Sequence, residues 1–415
     1  MLKFNQNMKY FFILGSNQTL SLSELAAVFN HSQFSLVQNN IAILDINHEI
    51  KASIIKKIGG VIKFGLIHNE LSSLATQDIL KSAAAFAKPE KIETKFNFGI
   101  SFYGKAKVNT KAIAMEFKKL LKELNINSRW VISREPTLSS VVVEQNNLAT
   151  ARGVEIVIIE FNKKLFIGKT IAVQPFKELS FRDYGRPARD DRSGMLPPKL
   201  AQIMINLAIT PPLIKGAGGI LLSKNNIILL DPFCGSGTVL TEATLMGYKN
   251  LIGSDISDKA LKATKTNIDW VQSNFQFLTF PALKLFNFNA TQISKHIAPH
   301  SIDTIITEPY LGPQQGLFAV NKIIKELENL YTNSLKEFYK ILKPSGRIVM
   351  IWPVFQGKRQ PDFINPNITG YKLINPIPEN LRKNIFLKLT ARHTIVYGRE
   401  GQRIWREIVI LEKQN

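Results

Sequence analysis

From Ile227 to the C-terminus, apolar strand-like segments alternate with helical segments. The strand-like segments read IILLD, NLIGSD, KLFNFNA, SIDTIITE and GRIVMIWP, and the clearest helix between them covers residues 321–342. Strands that are apolar along nearly their whole length need cover on both faces, which a parallel sheet receives from its crossover helices. Residues 391–413 contain two more strand-like stretches around a Gly-rich turn, which predicts a hairpin and an antiparallel edge. We therefore predict a doubly wound α/β domain with a mixed sheet over residues 199–415.

The N-terminal half mixes strand and helix patterns in a less regular order. Residues 1–60 are predicted to form an α/β subdomain, and residues 61–175 a second α+β domain. Residues 176–198 are rich in Arg, Asp, Pro and Gly, and we predict that they form a linker. Helix patterns cover residues 75–87 and 110–124.

Four further segments of this half are predicted to be strands. RWVIS and SVVVEQ, at residues 129–133 and 140–145, are rich in β-branched residues and are predicted to be short strands. GVEIVIIEF and KLFIGKTIAV are separated by Asn162 and Lys163, which predicts a hairpin with a two-residue loop.

The charge of the chain indicates a polyanionic partner. The formal net charge is +21, with an excess of +9 in residues 1–180 and +12 in residues 181–415. A basic excess that is spread over both halves suits nucleic acid, although a Lys-rich composition bias is the alternative. Cys234 is the one cysteine, so neither an intramolecular disulfide nor a thiolate metal cluster can form, and the six histidines lack ligand spacing. We therefore expect no metal site. Because no stretch approaches the roughly 20 apolar residues of a spanning helix, we also expect a cytoplasmic protein.

The stretch DPFCGSGT, residues 231–238, follows the first apolar strand of the predicted sheet. Ligands of doubly wound sheets bind outside the carboxyl ends of the strands, so this loop faces the predicted crevice. Gly235 and Gly237 let the backbone pass close to a ligand, and the following helix presents free N–H groups. Asp255 ends the next strand, where a carboxylate can accept hydrogen bonds from two ribose hydroxyls. The pattern therefore predicts a nucleoside-bearing cofactor.

The loop lacks the third glycine of the dinucleotide fingerprint and the Gly-Lys-Ser/Thr of a phosphate loop. Asp231 would repel a pyrophosphate but suits a cation such as the sulfonium of S-adenosylmethionine. The loop and Asp255 resemble the first two motifs of class I methyltransferases, and Asn289 with Ala290 follows the third strand, where an amide can read an adenine edge. The predicted cofactor-binding residues are Asp231, Phe233, Cys234, Gly235, Ser236, Gly237, Thr238, Asp255, Ile256, Asn289 and Ala290. For Asn289, the alternative is a helix N-cap.

Cys234 raises the question of a covalent mechanism. A thiolate nucleophile of a cytosine methyltransferase would lie near the fourth strand, where this chain has no cysteine. We therefore predict that Cys234 is a small residue of the cofactor loop.

The fourth strand ends in SIDTIITEPYLGP, which is similar to the D/N-P-P-Y/F motif of methyltransferases that act on exocyclic amines. The candidate catalytic residues are Glu308, Pro309 and Tyr310. An acceptor side chain and a main-chain carbonyl can hold a poorly nucleophilic aryl amine so that its lone pair faces the methyl group. The chain departs from the motif by having Glu for Asp and a single proline. A second register would put Thr307 at the acid position; we favour the register that keeps Glu308 as the acceptor.

In layout, the chain resembles the THUMP-domain RNA methyltransferases, in particular the branch that methylates N2 of guanosine 10 in tRNA. The specific part runs over residues 182–353 and includes PPKLAQIMINLA, DPFCGSGT and TEPYLG. The resemblance implies a class I, Rossmann-like domain with a mixed seven-stranded sheet at 199–415 and a THUMP-like RNA-binding domain at 61–175. It implies S-adenosylmethionine as cofactor and tRNA as substrate. A DNA amino-methyltransferase and a non-catalytic RNA-binding protein are the alternatives.

The predicted linker, residues 176–198, is the junction between the two halves and contains the predicted RNA contacts. These are Arg182, Tyr184, Arg186, Arg189 and Arg192. The aspartates at 183, 190 and 191 interleave with them, so a salt-bridged linker is the alternative. We expect a monomer, and a small activator subunit is left open.

Overall fold

The computed structural model describes residues 7–29, 34–38, 40–73, 75–87, 89, 95–189, 194–209, 225–276, 280–313, 319–357 and 360–414. The chain divides into two compact units. The first consists of Met1–Gln18, Gln33–Lys57 and Val61–Phe176, and the second of Thr19–Ser32, Ile58–Gly60 and Lys177–Asn415.

Within the described residues, the first part of the chain supplies nine strands to the first unit. In chain order the elements are β1 (Met8–Leu14), α1 (Gln18–Phe29), β2 (Phe34–Gln38), β3 (Ile41–Ile46), a 3₁₀ helix (Ala52–Lys57), β4 (Val61–Leu71), α2 (Thr76–Phe86), β5 (Phe96–Tyr103), α3 (Thr110–Glu123), β6 (Ser128–Val131), α4 (Ser140–Gln145), β7 (Ala149–Thr150), β8 (Gly153–Phe161) and β9 (Lys164–Val173). After its first residue, α1 belongs to the second unit.

The strands of the first unit form one sheet in the order β2-β3-β1-β4-β9-β8-β5-β6, with β7 paired to β8. Strands from residues 1–60 and from residues 61–175, which the sequence divided into two parts, therefore pair with each other. Apolar residues of α2 and α3, including Ile79 and Phe117, pack with Phe98 of β5 in a buried cluster. The RNA-binding role given to 61–175 stays a prediction.

Two local predictions of this unit have different outcomes. The β8–β9 hairpin is confirmed: Asn162 and Lys163 both adopt positive φ, of 50° and 61°, as a two-residue hairpin loop requires. The predicted strand SVVVEQ is wrong, because these residues form helix α4. The Ser139 side chain accepts a hydrogen bond from the Val142 N–H, so a helix cap outweighs the strand preference of three consecutive valines.

The second unit contains the α/β alternation that the sequence predicts. Its elements are α5 (Phe176–Tyr184), α6 (Pro198–Ala208), β10 (Ile228–Asp231), α7 (Thr238–Met246), β11 (Asn250–Asp255), α8 (Asp258–Asn274), β12 (Ala282–Asn287), a 3₁₀ helix (Ala290–Lys295), β13 (Ile302–Thr307), α9 (Val320–Ile341), β14 (Leu342–Phe355), β15 (Asp362–Phe363), β16 (Tyr371–Leu373), a 3₁₀ helix (Glu379–Leu381), β17 (Ile395–Tyr397) and β18 (Ile404–Lys413). Residue 176 itself falls in the first unit.

The sheet of the second unit runs β12-β11-β10-β13-β14-β18-β16. The pairs from β12 to β14 are parallel, and β18 pairs antiparallel with both β14 and β16. The short strands β15 and β17 add to β14 and β18 off this path. The Rossmann-like class and its mixed sheet are thus confirmed. Within the described residues the sheet has nine strands rather than the predicted seven, because β15 and β17 pair with it outside the main order. The winding reverses at β10, where the crossovers turn from β11 and β12 to β13.

The segment 176–198, predicted to be a linker, contains helix α5. Leu179 and Arg182 are buried on this helix, whereas Phe181 and Tyr184 are exposed. The helix is therefore a packed element of the unit.

Helix α1 joins the second unit through a buried carboxylate. Glu24 accepts hydrogen bonds from the N–H groups of Gly59 and Gly60, at 2.8 and 2.7 Å, and from Nδ2 of Asn206 in α6 at 2.7 Å. Burial raises the pKa of Glu24 to about 7, against these hydrogen bonds. Segments far apart in the chain thus share one acceptor group.

In the first unit, the ion pair between Lys63 of β4 and Glu155 of β8 is almost completely buried. Lys63 also donates to the carbonyl of Leu138, and Glu155 accepts from Ser101 and Thr170 on the neighbouring strands β5 and β9. The two charges are therefore compensated inside the unit, so removal of one leaves the other buried and unpaired.

We expect Lys63→Met to destabilise the first unit by about 3–5 kcal/mol, because Glu155 then lacks its cation. Urea-dependent hydrogen exchange of amides in β4, β8 and β9 measures the effect. Lys63→Met with Glu155→Gln should regain most of the loss. The control Lys164→Met breaks an exposed pair with Glu70 and should cost less than about 1 kcal/mol. Equal stability of Lys63→Met and wild type would contradict this account.

Candidate functional site

Four parallel strands of the second unit end at the same edge of its sheet, around the winding reversal. Asp231 ends β10 and Asp255 ends β11; Asn289 follows β12 and Glu308 follows β13. Parallel pairing puts these ends side by side, and all four residues line one cavity of about 750 Å³. The fold class therefore accounts for the position of the cavity.

The lining of this cavity contains most of the residues predicted from the sequence. Of the predicted cofactor and catalytic residues, it includes Asp231, Phe233, Cys234, Gly235, Ser236, Thr238, Asp255, Ile256, Asn289, Ala290, Glu308, Pro309 and Tyr310. Gly237 is not part of the lining and acts through the loop backbone. The sequence analysis missed Gly194, Met195, Leu196, Ser257, Ala260 and Leu330. The apolar pair Met195-Leu196 within the charged segment 176–198 was a signal for the first three, whereas no local pattern marks the other three.

The cofactor loop is held by backbone geometry and by Asp255. Gly235 and Gly237 have φ values of +52° and +83°, and a Cβ on Gly237 would lie 2.9 Å from the Thr264 side chain. The Gly235 N–H donates to Asp255 Oδ2 at 3.0 Å, and the Ser257 N–H donates to Oδ1 at 2.9 Å. Each carboxylate oxygen can accept a second hydrogen bond, so Asp255 can hold the loop and also accept from ribose hydroxyls.

Asp231 is a buried carboxylate at the base of the cavity. Its side chain accepts from Thr307 Oγ1 at 2.7 Å and from the Phe233 N–H at 3.3 Å. Burial raises its pKa to about 7, and the nearby carboxylates of Asp255 and Glu308 act in the same direction. A cation bound in the cavity would stabilise the ionised form.

Thr307 and Glu308 take different positions at the end of β13. Thr307 is fully buried and bonds to Asp231, whereas Glu308 lines the cavity. This arrangement favours the register in which Glu308 is the acceptor.

Three further lining residues bear on what the cavity can hold. Asn289 Oδ1 accepts from the backbone and hydroxyl of Thr291, so the cap role is present, and Nδ2 is the group left for a ligand. Ile256 is 69 % exposed, which provides an apolar surface at the cavity. Burial raises the pKa of the Cys234 thiol, which disfavours a nucleophilic thiolate there.

Glu308 is paired with an arginine that the sequence analysis missed. Arg406 of β18 donates through Nε to Glu308 Oε1 at 2.5 Å, and both side chains are about one-tenth exposed. Burial raises the pKa of Glu308, and Arg406 opposes this rise. The two residues are 98 positions apart, so no local pattern links them.

The main chain and the side chain of Tyr310 lie in different environments. The Tyr310 carbonyl accepts from the buried Tyr331 hydroxyl at 2.9 Å, whereas the Tyr310 side chain is 59 % exposed at the cavity. Gly312, with a φ of +96°, follows in the turn. The main chain is thereby anchored and the aromatic ring is accessible.

The junction arginines do not share one environment. Arg182 is buried and makes two hydrogen bonds to Glu242 of α7, at 2.7 and 3.2 Å. Arg186 is buried and donates to Thr238 Oγ1 at 2.5 Å. Both guanidinium groups point into the unit because Glu242 is completely buried and requires a counter-charge. Arg186 also lies 3.6 Å from Oδ1 of Asp183. The salt-bridged alternative therefore describes both arginines, and their burial argues against RNA contacts at Arg182 and Arg186.

Two of the other predicted RNA contacts lie at the surface. Tyr184 is 67 % exposed, and the exposed Arg189 guanidinium lies 5.4 Å from its ring centroid. Between them, Ala188 bonds to Asn267, whose Nδ2 also donates to the Ser236 carbonyl of the cofactor loop. Arg192, Asp190 and Asp191 lie outside the described residues.

Two negative findings apply to the described part of the chain. No group of three or more His, Cys, Asp or Glu residues there could hold a metal ion. No helix there combines the length and apolarity that crossing a membrane requires.

The comparison with solved structures concerns the fold. TrmN from Thermus thermophilus aligns over 98 % of this chain and 99 % of its own, with a TM-score of 0.51 and 16 % identity. At this identity the likeness supports a shared fold only.

The sequence comparisons identify a domain family and several related proteins. Residues 222–360 match the family model described as RMKL-like, methyltransferase domain. The tRNA (guanine(10)-N2)-dimethyltransferase of Pyrococcus abyssi is 26 % identical over 199 residues, which are 48 % of this chain and 50 % of that protein. The chain thus spans about half the length of this relative. A protein of the same name from Methanothermobacter thermautotrophicus is 28 % identical over 160 residues, which are 39 % of this chain and 39 % of that protein.

A fourth protein is matched over most of its length. The "probable tRNA (guanine(10)-N2)-dimethyltransferase" of Methanothermococcus thermolithotrophicus is 33 % identical over 128 residues, which are 30 % of this chain and 74 % of that protein. The chain therefore belongs to the same methyltransferase family as this relative, and its residues 222–360 form an RMKL-like methyltransferase domain.

Proposed function

We propose that this protein is an S-adenosylmethionine-dependent methyltransferase that modifies the exocyclic N2 amine of a guanosine in tRNA, with guanosine 10 as the candidate position. The observation that carries the proposal is that Asp231 and Asp255 share one cavity with the Glu308-Pro309-Tyr310 segment. A site for a nucleoside cofactor and a segment similar to an amine-binding motif are thus adjacent. The names of the relatives support tRNA guanine as the substrate.

The residues of the cavity fit S-adenosylmethionine. Asp231 is a buried acid without a cationic partner among the described residues, so it suits a positively charged ligand. Asp255 has acceptor capacity for the ribose hydroxyls, and Asn289 retains an amide N–H group for an adenine edge. Ile256 offers an apolar surface to the purine ring. When bound, the cofactor would supply an electrophilic methyl group for the amine lone pair, and its sulfur would keep the electron pair of the C–S bond.

The chain's own residues then orient the amine. Glu308 accepts a hydrogen bond from the N2 amine and takes the proton that the methylated nitrogen releases. The Tyr310 carbonyl already accepts from Tyr331, so we assign the second acceptor to the Pro309 carbonyl. The exposed Tyr310 ring is the planar group that can stack on the base. Catalysis in this site is mainly positioning and charge stabilisation.

A guanine in a tRNA helix must leave its stack before its amine can enter a cavity of this kind. We propose that Tyr184 and Arg189 contact the RNA around the extruded base, with an exposed ring and an exposed guanidinium beside each other. Phe181 of α5 lies 4.8 Å from the Trp270 ring of α8 and extends this aromatic surface. The RNA-binding role of 61–175, the cytoplasmic location and the monomeric state belong to the same proposal, and the net charge of +21 supports the RNA partner.

Nucleoside mass spectrometry tests the reaction. We expect wild-type protein and S-adenosylmethionine to form N2-methylguanosine in tRNA, and Glu308→Ala to reduce the rate by about 100-fold or more, because the amine loses its acceptor. The control Glu326→Ala removes an exposed carboxylate of α9 and should leave the rate unchanged.

The same measurement separates the alternatives. Methylated adenine or cytosine in duplex DNA, with unmodified tRNA, would favour the DNA amino-methyltransferase. Cofactor and tRNA binding without transfer would favour the non-catalytic RNA-binding protein.

The raised pKa of Asp231 predicts a pH dependence of cofactor binding. Below pH 7 the carboxyl is mostly neutral and attracts a cation less, so the S-adenosylmethionine affinity should fall by about tenfold between pH 8 and pH 6. In Asp231→Asn, calorimetry should find weaker binding at pH 8 and little of this dependence. Asp269→Asn, an exposed position on α8, should behave as wild type. An undiminished pH dependence in Asp231→Asn would mean that another group titrates.

Binding of tRNA at several salt concentrations tests the surface contacts. Arg189→Glu should weaken binding and reduce the slope of log K against log salt by about one, if the guanidinium contacts a phosphate. Tyr184→Ala should lose about 1–3 kcal/mol of stacking without a change in slope. Arg399→Glu makes the same charge change at another exposed site and is the control. Equal affinities of Arg189→Glu and wild type would exclude the contact.

A further inference from the structure

Arg406 lies among isoleucines on one face of β18, and the other charged residue on this face, Glu412, is near the opposite end of the strand. Ile404, Ile408 and Ile410 share this face by the two-residue period of a strand, and all are buried. Because β18 runs antiparallel to β14, its first residues lie at the carboxyl edge of the parallel strands, where the cavity is. The arginine is therefore aligned with the site rather than with the surface.

The pairing of Arg406 with Glu308 involves one of the two carboxylate oxygens. Arg406 Nε holds Oε1 at 2.5 Å, with the side chains 10 % and 12 % exposed. Within the described part of the chain, Oε2 has no hydrogen-bond partner. One oxygen is thus fixed by the protein, and the other is available to a ligand in the cavity.

Arg406 determines how readily Glu308 ionises, because the other described groups around Glu308 carry no positive charge. The other titratable groups that face it are Asp231 at the end of β10 and Tyr331 on α9, and neither supplies a positive charge. Burial raises the pKa of Glu308, and Arg406 is the group that opposes this rise. Without the arginine, the carboxyl would be neutral over a wider pH range and would accept hydrogen bonds less well.

We propose that Arg406 is a positioning residue for methyl transfer, which holds Glu308 Oε1 so that Oε2 accepts the target amine. The inference rests on the proposed function, and it explains how glutamate can stand where the related motif has Asp or Asn. The additional methylene gives glutamate another rotatable bond, whose freedom would spread the carboxylate over several positions. The ion pair removes this freedom and keeps the carboxylate ionised.

The kinetic test compares Arg406→Gln, Arg406→Lys and Arg347→Gln with wild type. Arg347 of β14 pairs with Glu412 of β18, so this ion pair also involves β18, and the Arg347 side chain is likewise 10 % exposed, which makes it a matched control. We expect Arg406→Gln to lower kcat by about 10- to 100-fold with KM values for tRNA and cofactor nearly unchanged. The acidic limb of its pH profile should move to higher pH. Arg406→Lys, which retains the positive charge, should recover part of the loss, and Arg347→Gln should match wild type.

A titration that does not depend on turnover completes the test. In protein labelled with ¹³C at the glutamate carboxyl carbons, the Glu308 resonance is assigned by its absence in Glu308→Gln. We expect its midpoint to rise by about one pH unit or more in Arg406→Gln, and to be unchanged in Arg347→Gln. A Glu308 midpoint that is the same with and without Arg406 would overturn the inference, as would a kcat loss without a shift of the acidic limb.

The two measurements separate the inference from the proposed function. Wild-type protein that methylates no guanosine in tRNA would overturn the proposed function, while the titration would still decide whether Arg406 controls Glu308. Circular dichroism melting of each variant identifies any that is unfolded, and Arg406→Lys then carries the comparison in place of Arg406→Gln.

Discussion

Parallel pairing of β10 with β11 and β13 is the constraint on which the rest of the site depends. Because parallel strands end at one edge, residues as far apart in the chain as Asp231 and Glu308 line the same cavity. The crossover helices bury the strands on both sides, so polar side chains concentrate where the strands end. The loop glycines and the 308–310 segment both follow from this arrangement: each begins where a buried strand stops.

Three carboxylates lie close together in this cavity, and the structure gives each a different environment. Asp255 has both oxygens bonded to backbone N–H groups. Glu308 has Arg406, whereas Asp231 has a hydroxyl and one N–H, and its pKa is raised to about 7. Like charges in a desolvated space must be separated by such partners, since they cannot all ionise freely. Asp231, which is buried and receives hydrogen bonds only from uncharged donors, is the carboxyl that suits a cationic ligand.

Some residues of the charged junction are buried and stabilise the second unit, whereas others are exposed at its surface. Arg182 neutralises the buried Glu242, and Arg186 reaches Thr238 at the start of α7. Tyr184 and Arg189, only a few residues away, are exposed. Since Asn267 bonds to both Ala188 and Ser236, the junction is joined directly to the cofactor loop. A ligand that contacts the exposed side of the junction would therefore act close to the cofactor site.

Local patterns in the sequence determined the α/β class, the β8–β9 hairpin and the identity of most cavity residues. Apolar strand segments, Asn162-Lys163 and DPFCGSGT each carry their information within a few residues, because strand burial, positive φ and loop geometry are local requirements. The β-branched residues of SVVVEQ predicted a strand, but the segment forms a helix that the Ser139 side chain caps. Only the tertiary structure showed that Arg182 and Arg186 turn inward, that α1 belongs with α6 through Glu24, and that Arg406 pairs with Glu308. A charged residue on a buried face is compensated by whichever partner the fold brings within reach, and that partner can lie anywhere in the chain.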